Sequence, residues 1–374
     1  MHISKKLISN QAGFSLIEIM VGLVIGLIAT LVIMNVITAF EGQKRTTTGN
    51  SDAQVNGSVA MYNIQRVVQM AGFGLPIFDA TSTINTSPLR CLASLIDDDG
   101  NAATPRIDFF PIAITDGGAG LNDTITIRYF PGANGGIPAT VTPAIAGQII
   151  GVDNNLGCRN GDIILVVSGT TCNGAIVNTP ALAANINPSA VVDQTHITVA
   201  GADVLAMPSG ARVSCLGASA PNLPTSRQEI TYRVNAGQLE SQNRTANAFV
   251  PIVSGILGLQ AQYGIAATST SNQVTQWVNA TGAWVAPTVA NRNRIRAIRF
   301  AVIARNGLLE RAAVTTACSA NNTANPTGLC AWAGTAASPA PTISLANMGG
   351  ANYRYRVYET IIPLRNMTWS GTLL

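Results

Sequence analysis

The chain has 374 residues, of which only 11% are charged, and its formal net charge is +4. Because globular proteins carry about 25% charged residues, this composition favours a protein displayed outside the cell over a cytosolic enzyme. The weak net charge excludes a strong overall attraction to nucleic acid. Beyond an N-terminal helical segment, the length leaves room for one large or two small domains.

A short basic leader precedes a long apolar run. Residues 1–13 contain Lys5 and Lys6 and no acid, whereas residues 14–40 contain a single charged side chain, Glu18. A helix over 14–40 would be roughly 40 Å long, enough to cross a hydrocarbon core of about 30 Å. The residues after the run do not form the small-residue site at which secretory signal peptides are cut. We therefore expect 14–40 to stay on the mature protein as a transmembrane helix.

The acidic side chain of Glu18 requires a partner, because an ionised group inside an apolar helix is costly and marks a specific function. If the leader is removed after Gly13, the mature chain begins with the free amino group of Phe14, one helical turn from Glu18. In a packed array of such helices, the N-terminal ammonium of one subunit can pair with Glu18 of its neighbour. This pairing would set the axial register between subunits.

Residues 41–72 are predicted to continue the same helix in amphipathic form. Apolar residues recur at spacings of three and four, and no proline occurs before Pro76. We expect the resulting apolar stripe to pack on the protein's own head. The stripe consists of Val55, Val59, Tyr62, Ile64, Val67 and Val68.

Residues 73–374 are predicted to form a head rich in antiparallel β-strands, which makes the whole chain an α+β protein with a long N-terminal α-helix. Short β-rich runs alternate with Gly, Pro, Asn and Asp. The clearest strand candidates are Asp123 to Tyr129, Asp162 to Val167, Gln228 to Val234, Ile295 to Ala304 and Tyr353 to Pro363.

Six cysteines without a C-x-x-C motif predict disulfide bonds and an oxidising compartment. Six cysteines permit fifteen connectivities. The short-range pairs Cys158 with Cys172 and Cys318 with Cys330 are favoured, and Cys91 with Cys215 would then remain.

Two clusters offer weaker candidates for ligand binding. Asp97, Asp98 and Asp99 are consecutive, whereas a calcium loop requires alternating ligands, so we interpret them as a solvated turn and not as a metal site. The second cluster, Arg292, Arg294 and Arg296, would lie on one face of a strand, where a basic stripe could contact DNA phosphates. We favour a solvated sheet face whose arginines pair with acids over a nucleic-acid site.

The sequence GFSLIEIMVGLVIG, residues 13–26, resembles the class III leader and N-terminal helix of type IV prepilins. This resemblance implies that prepilin peptidase cuts between Gly13 and Phe14, that the amino group of Phe14 is methylated, and that Glu18 serves filament assembly. Further phrases along the chain resemble the PilW family of minor pilins. They are LNDTITIRY (121–129), NGDIILVVSG (160–169), PIVSGILGLQAQYG (251–264), RIRAIRFAVIARNG (294–307) and YRYRVYETIIPLRN (353–366).

The resemblance implies a minor pilin in a tip complex that primes pilus assembly and helps present a tip adhesin. Its partners would be the major pilin, other minor pilins, the adhesin and the inner-membrane assembly platform. The head would lie in the periplasm before assembly and outside the cell afterwards. No cofactor or catalytic activity is expected, since the usual hydrolase and nucleotide motifs are missing from the sequence.

Two alternatives remain open at the level of sequence. A type II secretion minor pseudopilin of the J type shares the leader, the helix and a large head. A pilin-like DNA-uptake receptor or a membrane-tethered extracytoplasmic enzyme would use the leader only for export.

Overall fold

The computed structural model describes residues 13–75, 109–132, 137–142, 149–155, 158–169, 171–177, 195–200, 208–218, 227–243 and 248–368. The chain divides into two compact units, the first ending at Ser51 and the second running from Asp52 to Leu374. The second unit comprises the head together with the last part of the N-terminal helix.

Helix α1 runs without interruption over Leu16–Val68, a length of 53 residues. It continues past the apolar run, as the sequence predicts, and Gly49 and Gly57 do not break it. It ends where the chain enters turns around Gly72 and Gly74, both of which have positive φ (76° and 80°). Such φ values are readily adopted only by glycine and terminate helices.

The face of α1 that packs on the head differs from the predicted stripe. Val55, Val59 and Tyr62 are exposed, so the prediction is wrong for these residues. The buried positions are occupied mainly by smaller residues, namely Ala53, Gly57, Ala60, Ile64 and Val68.

The head contains fifteen strands within the described residues. They are β1 (Ile112–Thr115), β2 (Thr124–Tyr129), β3 (Ala139–Thr140), β4 (Ile149–Gly151), β5 (Asp162–Ser168), β6 (Thr171–Val177), β7 (His196–Ala200), β8 (Arg212–Ala218), β9 (Gln228–Asn235), β10 (Gln238–Asn243), β11 (Val250–Ser254), β12 (Ile256–Ala266), β13 (Val274–Val278), β14 (Ile295–Arg305) and β15 (Tyr355–Pro363). A short helix lies between β13 and β14, at Val289–Arg292, and another follows β15, at Arg365–Thr368. Each of the five predicted strands is present, as β2, β5, β9, β14 and β15.

Two antiparallel sheets share one hydrophobic core with the C-terminal part of α1. The first has the strand order β1-β2-β9-β10-β11 and the second β13-β12-β14-β15. Side chains from both sheets, such as Ile125, Tyr263 and Phe300, lie in the same buried cluster as Ile64 of the helix. The hydroxyl of Tyr263 also accepts a hydrogen bond of 2.6 Å from the backbone N–H of Ile114, which ties the two sheets together.

The third sheet, in the order β3-β8-β5-β6-β7-β4, closes on itself. Its two end strands are extended by Val141 and Val152, which form an antiparallel bridge. The bridge is flanked by a 3.1 Å hydrogen bond from the Thr142 N–H to the Gly151 carbonyl. The result is a small six-stranded barrel filled by side chains such as Ile164 and Val166.

The barrel is an insertion between two paired strands of the first sheet. β2 and β9 lie side by side, with Tyr129 opposite Gln228, and all six barrel strands lie between them in the sequence. Alternate residues of β5 point outward, where Ile163, Leu165 and Val167 pack with Phe130. Both faces of β5 are therefore buried, which explains its continuous apolar sequence.

The segment between β14 and β15 covers the outer face of the second sheet. It has little regular secondary structure, yet its side chains Leu329, Trp332 and Ile343 form a cluster with Ala301 and Ile303 of β14. The second sheet is thus buried on one face by the helix and on the other by this segment.

Candidate functional site

The predicted processing site lies just before α1. Gly13, Phe14 and Ser15 are not helical, and the first turn forms when the Ser15 carbonyl accepts hydrogen bonds from the N–H groups of Glu18 (3.0 Å) and Ile19 (3.2 Å). Phe14 is exposed. Among the described residues, a Cβ atom at Gly13 would meet nothing within 4 Å, so packing against them does not require glycine there.

Glu18 lies in the first turn of α1 and is exposed. A carboxylate at this position is favoured by the positive end of the helix dipole. None of the ion pairs among the described residues involves Glu18. The geometry leaves this carboxylate accessible to a group on another molecule.

The N-terminal part of α1 has an apolar surface on all sides. Its most apolar stretch is not buried at all. Within the described residues, α1 is the one helix long and apolar enough to cross a membrane. Its hydroxyl groups are satisfied inside the helix, since Thr30 donates to the Gly26 carbonyl and Thr38 to the Asn35 carbonyl, both at 2.9 Å. Such a surface requires a bilayer or neighbouring helices around it.

The cysteine pairing is partly as predicted. Cys318 is bonded to Cys330, with Cα atoms 4.9 Å apart. Cys158, however, is bonded to Cys215, with Cα atoms 5.7 Å apart, so the predicted pairs of Cys158 with Cys172 and of Cys91 with Cys215 are wrong. Cys172 is also disulfide-bonded, and Cys91 lies outside the described residues.

Strand geometry explains why Cys158 and Cys172 do not pair. They lie at opposite ends of the hairpin formed by β5 and β6, since Cys158 precedes β5 while Cys172 is opposite Val167 at the turn. The seven residues of β5 place the two cysteines roughly 20 Å apart along the strand direction. A disulfide needs Cα atoms within about 7 Å of each other. Cys215 on β8 lies opposite Ile164, close to the start of β5.

The three arginines of the predicted basic stripe do not share a strand face. Arg292 belongs to a short helix and Arg294 precedes β14, so only Arg296 is on the strand. Arg296 is buried and donates to the carbonyls of Ser271 (2.9 Å) and Ser269 (2.6 Å).

The half-buried Arg294 donates to the Ala266 carbonyl at 2.9 Å and lies over the Trp284 ring. Arg292 lies over the Phe110 ring. These side chains therefore serve the fold, and the interpretation as a solvated basic face is wrong.

A second buried arginine follows on the same strand. Arg299 lies over the rings of Trp277 and Trp332, and its Nε and Nη2 donate to Oε1 of Gln262 at 2.9 and 2.6 Å. Burial lowers the pKa of Arg299 to about 10, while the charge of Glu359 opposes this shift. Arg299 thus fastens the segment that carries Trp332 onto the second sheet.

The aspartates proposed as a weak calcium candidate, Asp97 and Asp99, lie outside the described residues. Among the residues that are described, no group of three or more His, Cys, Asp or Glu side chains is arranged to hold a metal ion.

A polar clamp joins the first sheet to the free half of β12. The carboxylate of Asp123 accepts hydrogen bonds from the N–H groups of Gly117 (3.1 Å) and Ala261 (2.7 Å), while its own N–H donates to the Leu259 carbonyl at 2.8 Å. The adjacent Asn122 bonds to β12 as well, accepting from the Leu259 N–H at 3.1 Å. Burial raises the pKa of Asp123 to about 7. The acidic residue at the start of the DTITIRY run was the only sequence signal of this clamp.

Two regions of the chain match models of known protein families. Residues 8–34 match the prokaryotic N-terminal methylation motif, and residues 218–366 match the family described as Type IV Pilus-assembly protein W. No curated protein is significantly similar to the chain.

Among solved structures, the chain is similar to the type IV-like pilin TTHA1219 from Thermus thermophilus, with 13% identity and a TM-score of 0.22. The similarity covers 38% of this chain and 66% of that chain, just under two thirds of its length. A likeness this low supports no inference, so the assignment depends on the two sequence matches. The start of the exposed apolar helix therefore resembles the N-terminal methylation motif, and a part of the head that spans less than half of the chain resembles the PilW family.

Proposed function

We propose that this chain is a structural subunit of the tip or priming complex of a type IV pilus, where it initiates assembly and helps to present a tip adhesin. The observation that carries the proposal is a fully exposed apolar helix with a carboxylate in its first turn, joined to a head that contains the PilW region. The PilW match supports a pilus over a secretion pseudopilus. The internal contacts of the arginines argue against a DNA receptor.

Processing is proposed between Gly13 and Phe14, with methylation of the new amino group on Phe14. The methylation-motif match spans this bond, and the segment is non-helical and exposed. Because packing against the described residues does not require glycine at position 13, we infer that this glycine serves recognition by prepilin peptidase.

Glu18 is proposed to pair with the N-terminal ammonium of a neighbouring pilin. Within a bundle of apolar helices the local dielectric is low, so an unpaired carboxylate is costly and an opposite charge at close range is strongly favoured. A single acid in the otherwise uncharged run 14–40 fixes one axial position for the neighbour. Register between subunits then follows from one ion pair.

Before assembly, the subunit is proposed to be held in the inner membrane by α1, with the head in the periplasm. The disulfides support this orientation, because such bonds persist in oxidising compartments and are rare in the cytosol. Other minor pilins, the major pilin, the adhesin and the assembly platform are the proposed partners.

Replacing Glu18 by Val tests the assembly role. The Glu18→Val variant should still insert into the membrane, because the substitution makes the helix more apolar, but it should be lost from sheared pili and from complexes with other pilins. Glu41→Val is the matched control, since Glu41 is an exposed acid on the same helix beyond the apolar run. Immunoblots of membranes and sheared pili give the readout. Normal incorporation of Glu18→Val would refute the pairing role.

A further inference from the structure

β15 forms an open edge of the second sheet. It pairs with β14 over nine residues, from Tyr355 to Pro363, without a register shift, and it is the last strand in the sheet order. At about 3.3 Å per residue this edge is roughly 30 Å long.

The backbone hydrogen bonds at the two ends of the β14–β15 pairing show which β15 residues bond to β14. The Asn306 N–H donates to the Arg354 carbonyl, and the Leu364 N–H donates to the Arg296 carbonyl, both at 2.9 Å. Even-numbered β15 residues therefore bond to β14, because antiparallel strands alternate bonded and non-bonded pairs. The odd-numbered residues direct their backbone groups away from the sheet.

Four N–H groups and five carbonyls thus face outward on this edge. They belong to Tyr355, Val357, Glu359 and Ile361, with Pro363 adding a carbonyl only. Within the described part of the chain, no strand pairs with this side of β15. These groups form a template for an added strand.

The edge has few of the features by which soluble proteins usually protect such strands. Natural edges are short, bulged, or interrupted by charged residues, especially lysine, or by proline. β15 is long and regular, contains no lysine, and has proline only at its last position, and its charged side chains are Arg356 and Glu359. Ile361 is 60% exposed beside the open backbone.

The edge lies directly beside the head portion of α1. The Tyr358 ring occupies the space that a Cβ atom at Gly57 would need, and its hydroxyl donates to the Ala53 carbonyl at 3.5 Å. Under the proposed function, neighbouring pilins pack along α1. A subunit in contact with the part of α1 that belongs to the second unit would therefore lie next to this edge.

We propose that β15 pairs with an extended strand from the head of a neighbouring pilin of a different kind. The inference depends on the proposed function, because it requires that the chain assemble with other pilins. Pairing of β15 with β15 of a second copy is isologous and closes after two chains. A filament grows by successive addition, which a strand from a different subunit allows.

Substitutions at Glu359 separate the backbone N–H from the side chain. Both Glu359→Ala and Glu359→Pro remove the carboxylate, but only proline removes the outward N–H, and neither affects a bond to β14. Glu359→Ala should co-purify with other pilins as the unchanged protein does, whereas Glu359→Pro should lose at least tenfold in recovery at an unchanged melting temperature. Equal recovery of the two variants with both folded would overturn the proposal.

Crosslinking provides a second readout that does not depend on the proline variant folding. A benzoylphenylalanine photo-crosslinker is placed in cells at Ile361 and, as the control, at Leu309, which is 61% exposed but not on this edge. The expected result is an adduct between position 361 and the head of another pilin, and no such adduct from position 309.

Adducts with a second copy of this chain, adducts with a protein that is not a pilin, or no adduct while pilins still co-purify would overturn the strand pairing alone. Failure of the unsubstituted protein to co-purify with any pilin would overturn the proposed function itself, and the strand pairing with it.

Discussion

At the scale of single residues, Asp123 shows how one side chain can replace a missing strand. β13 pairs only with the end of β12, from Tyr263 to Ala266, so the rest of that β12 edge needs other partners. Asn122 and Asp123 supply them through their side chains and backbone. The sequence could not predict this clamp, because the clamped residues are separated by 138 positions and no motif marks them.

The raised pKa of Asp123 predicts how the stability of the head depends on pH. The pKa of Asp123 is 3.8 in the unfolded chain and about 7 in the folded protein. Its protonated carboxyl group therefore contributes fully to the unfolding free energy below pH 4, and this contribution is lost as the pH rises through 7. The unfolding free energy should therefore fall with pH between about 4 and 7, by at most about 1.4 kcal/mol per pH unit.

Asp123→Asn cannot ionise, so the difference in unfolding free energy between the unchanged protein and this variant should shrink over the same range. At low pH the variant should be less stable by about 1–3 kcal/mol, because the amide N–H₂ faces backbone donors. Urea unfolding at several pH values measures both quantities. A difference that is constant with pH would contradict the raised pKa.

At the scale of secondary-structure elements, strands were easier to predict than packing faces. β2, β5, β9, β14 and β15 were evident because β-branched and aromatic residues cluster between turn-forming residues.

The buried face of α1 was predicted in part: Ile64 and Val68 are buried as expected, whereas Ala53, Gly57 and Ala60 were missed because large apolar residues were assumed to mark the face. Close packing selects small residues there, and at Gly57 the Tyr358 ring leaves no space for even a methyl group. Val55 and Tyr62 are consequently left exposed.

The disulfides illustrate a similar limit. A spacing of 12 residues identified Cys318 with Cys330, because a short loop restricts the choice of partner. Cys158 and Cys215 are 57 residues apart and come together through the pairing of β8 with β5. Sequence spacing carries no information about such a long-range strand pairing.

Removal of the barrel disulfide should be costly. Closing a loop of 57 residues stabilises a protein by about 4 kcal/mol in the chain-entropy description, compared with about 3 kcal/mol for 12 residues. The double variant Cys158→Ala with Cys215→Ala should therefore lower the thermal stability of the protein more than Cys318→Ala with Cys330→Ala. Calorimetry of the two variants checks the order. The reverse order would show that the barrel is stabilised without its crosslink.

At the scale of the whole molecule, the chain joins an exposed apolar helical segment to a β-rich head. The N-terminal portion of α1 has an apolar surface that the rest of the described chain does not cover, together with one acid in its first turn. The head is built on two sheets with a barrel inserted between paired strands. Because the insertion begins and ends at adjacent strands, the barrel can vary without changing the sheets that support it.

The central claim is that this protein is a processed pilin that begins at Phe14. The most direct test is mass spectrometry of the N-terminal peptide of the protein purified from cells that contain prepilin peptidase. We expect a first residue of N-methylated Phe14 and no peptide that retains residues 1–13. A chain that keeps its leader, or that begins at another residue, would contradict the account.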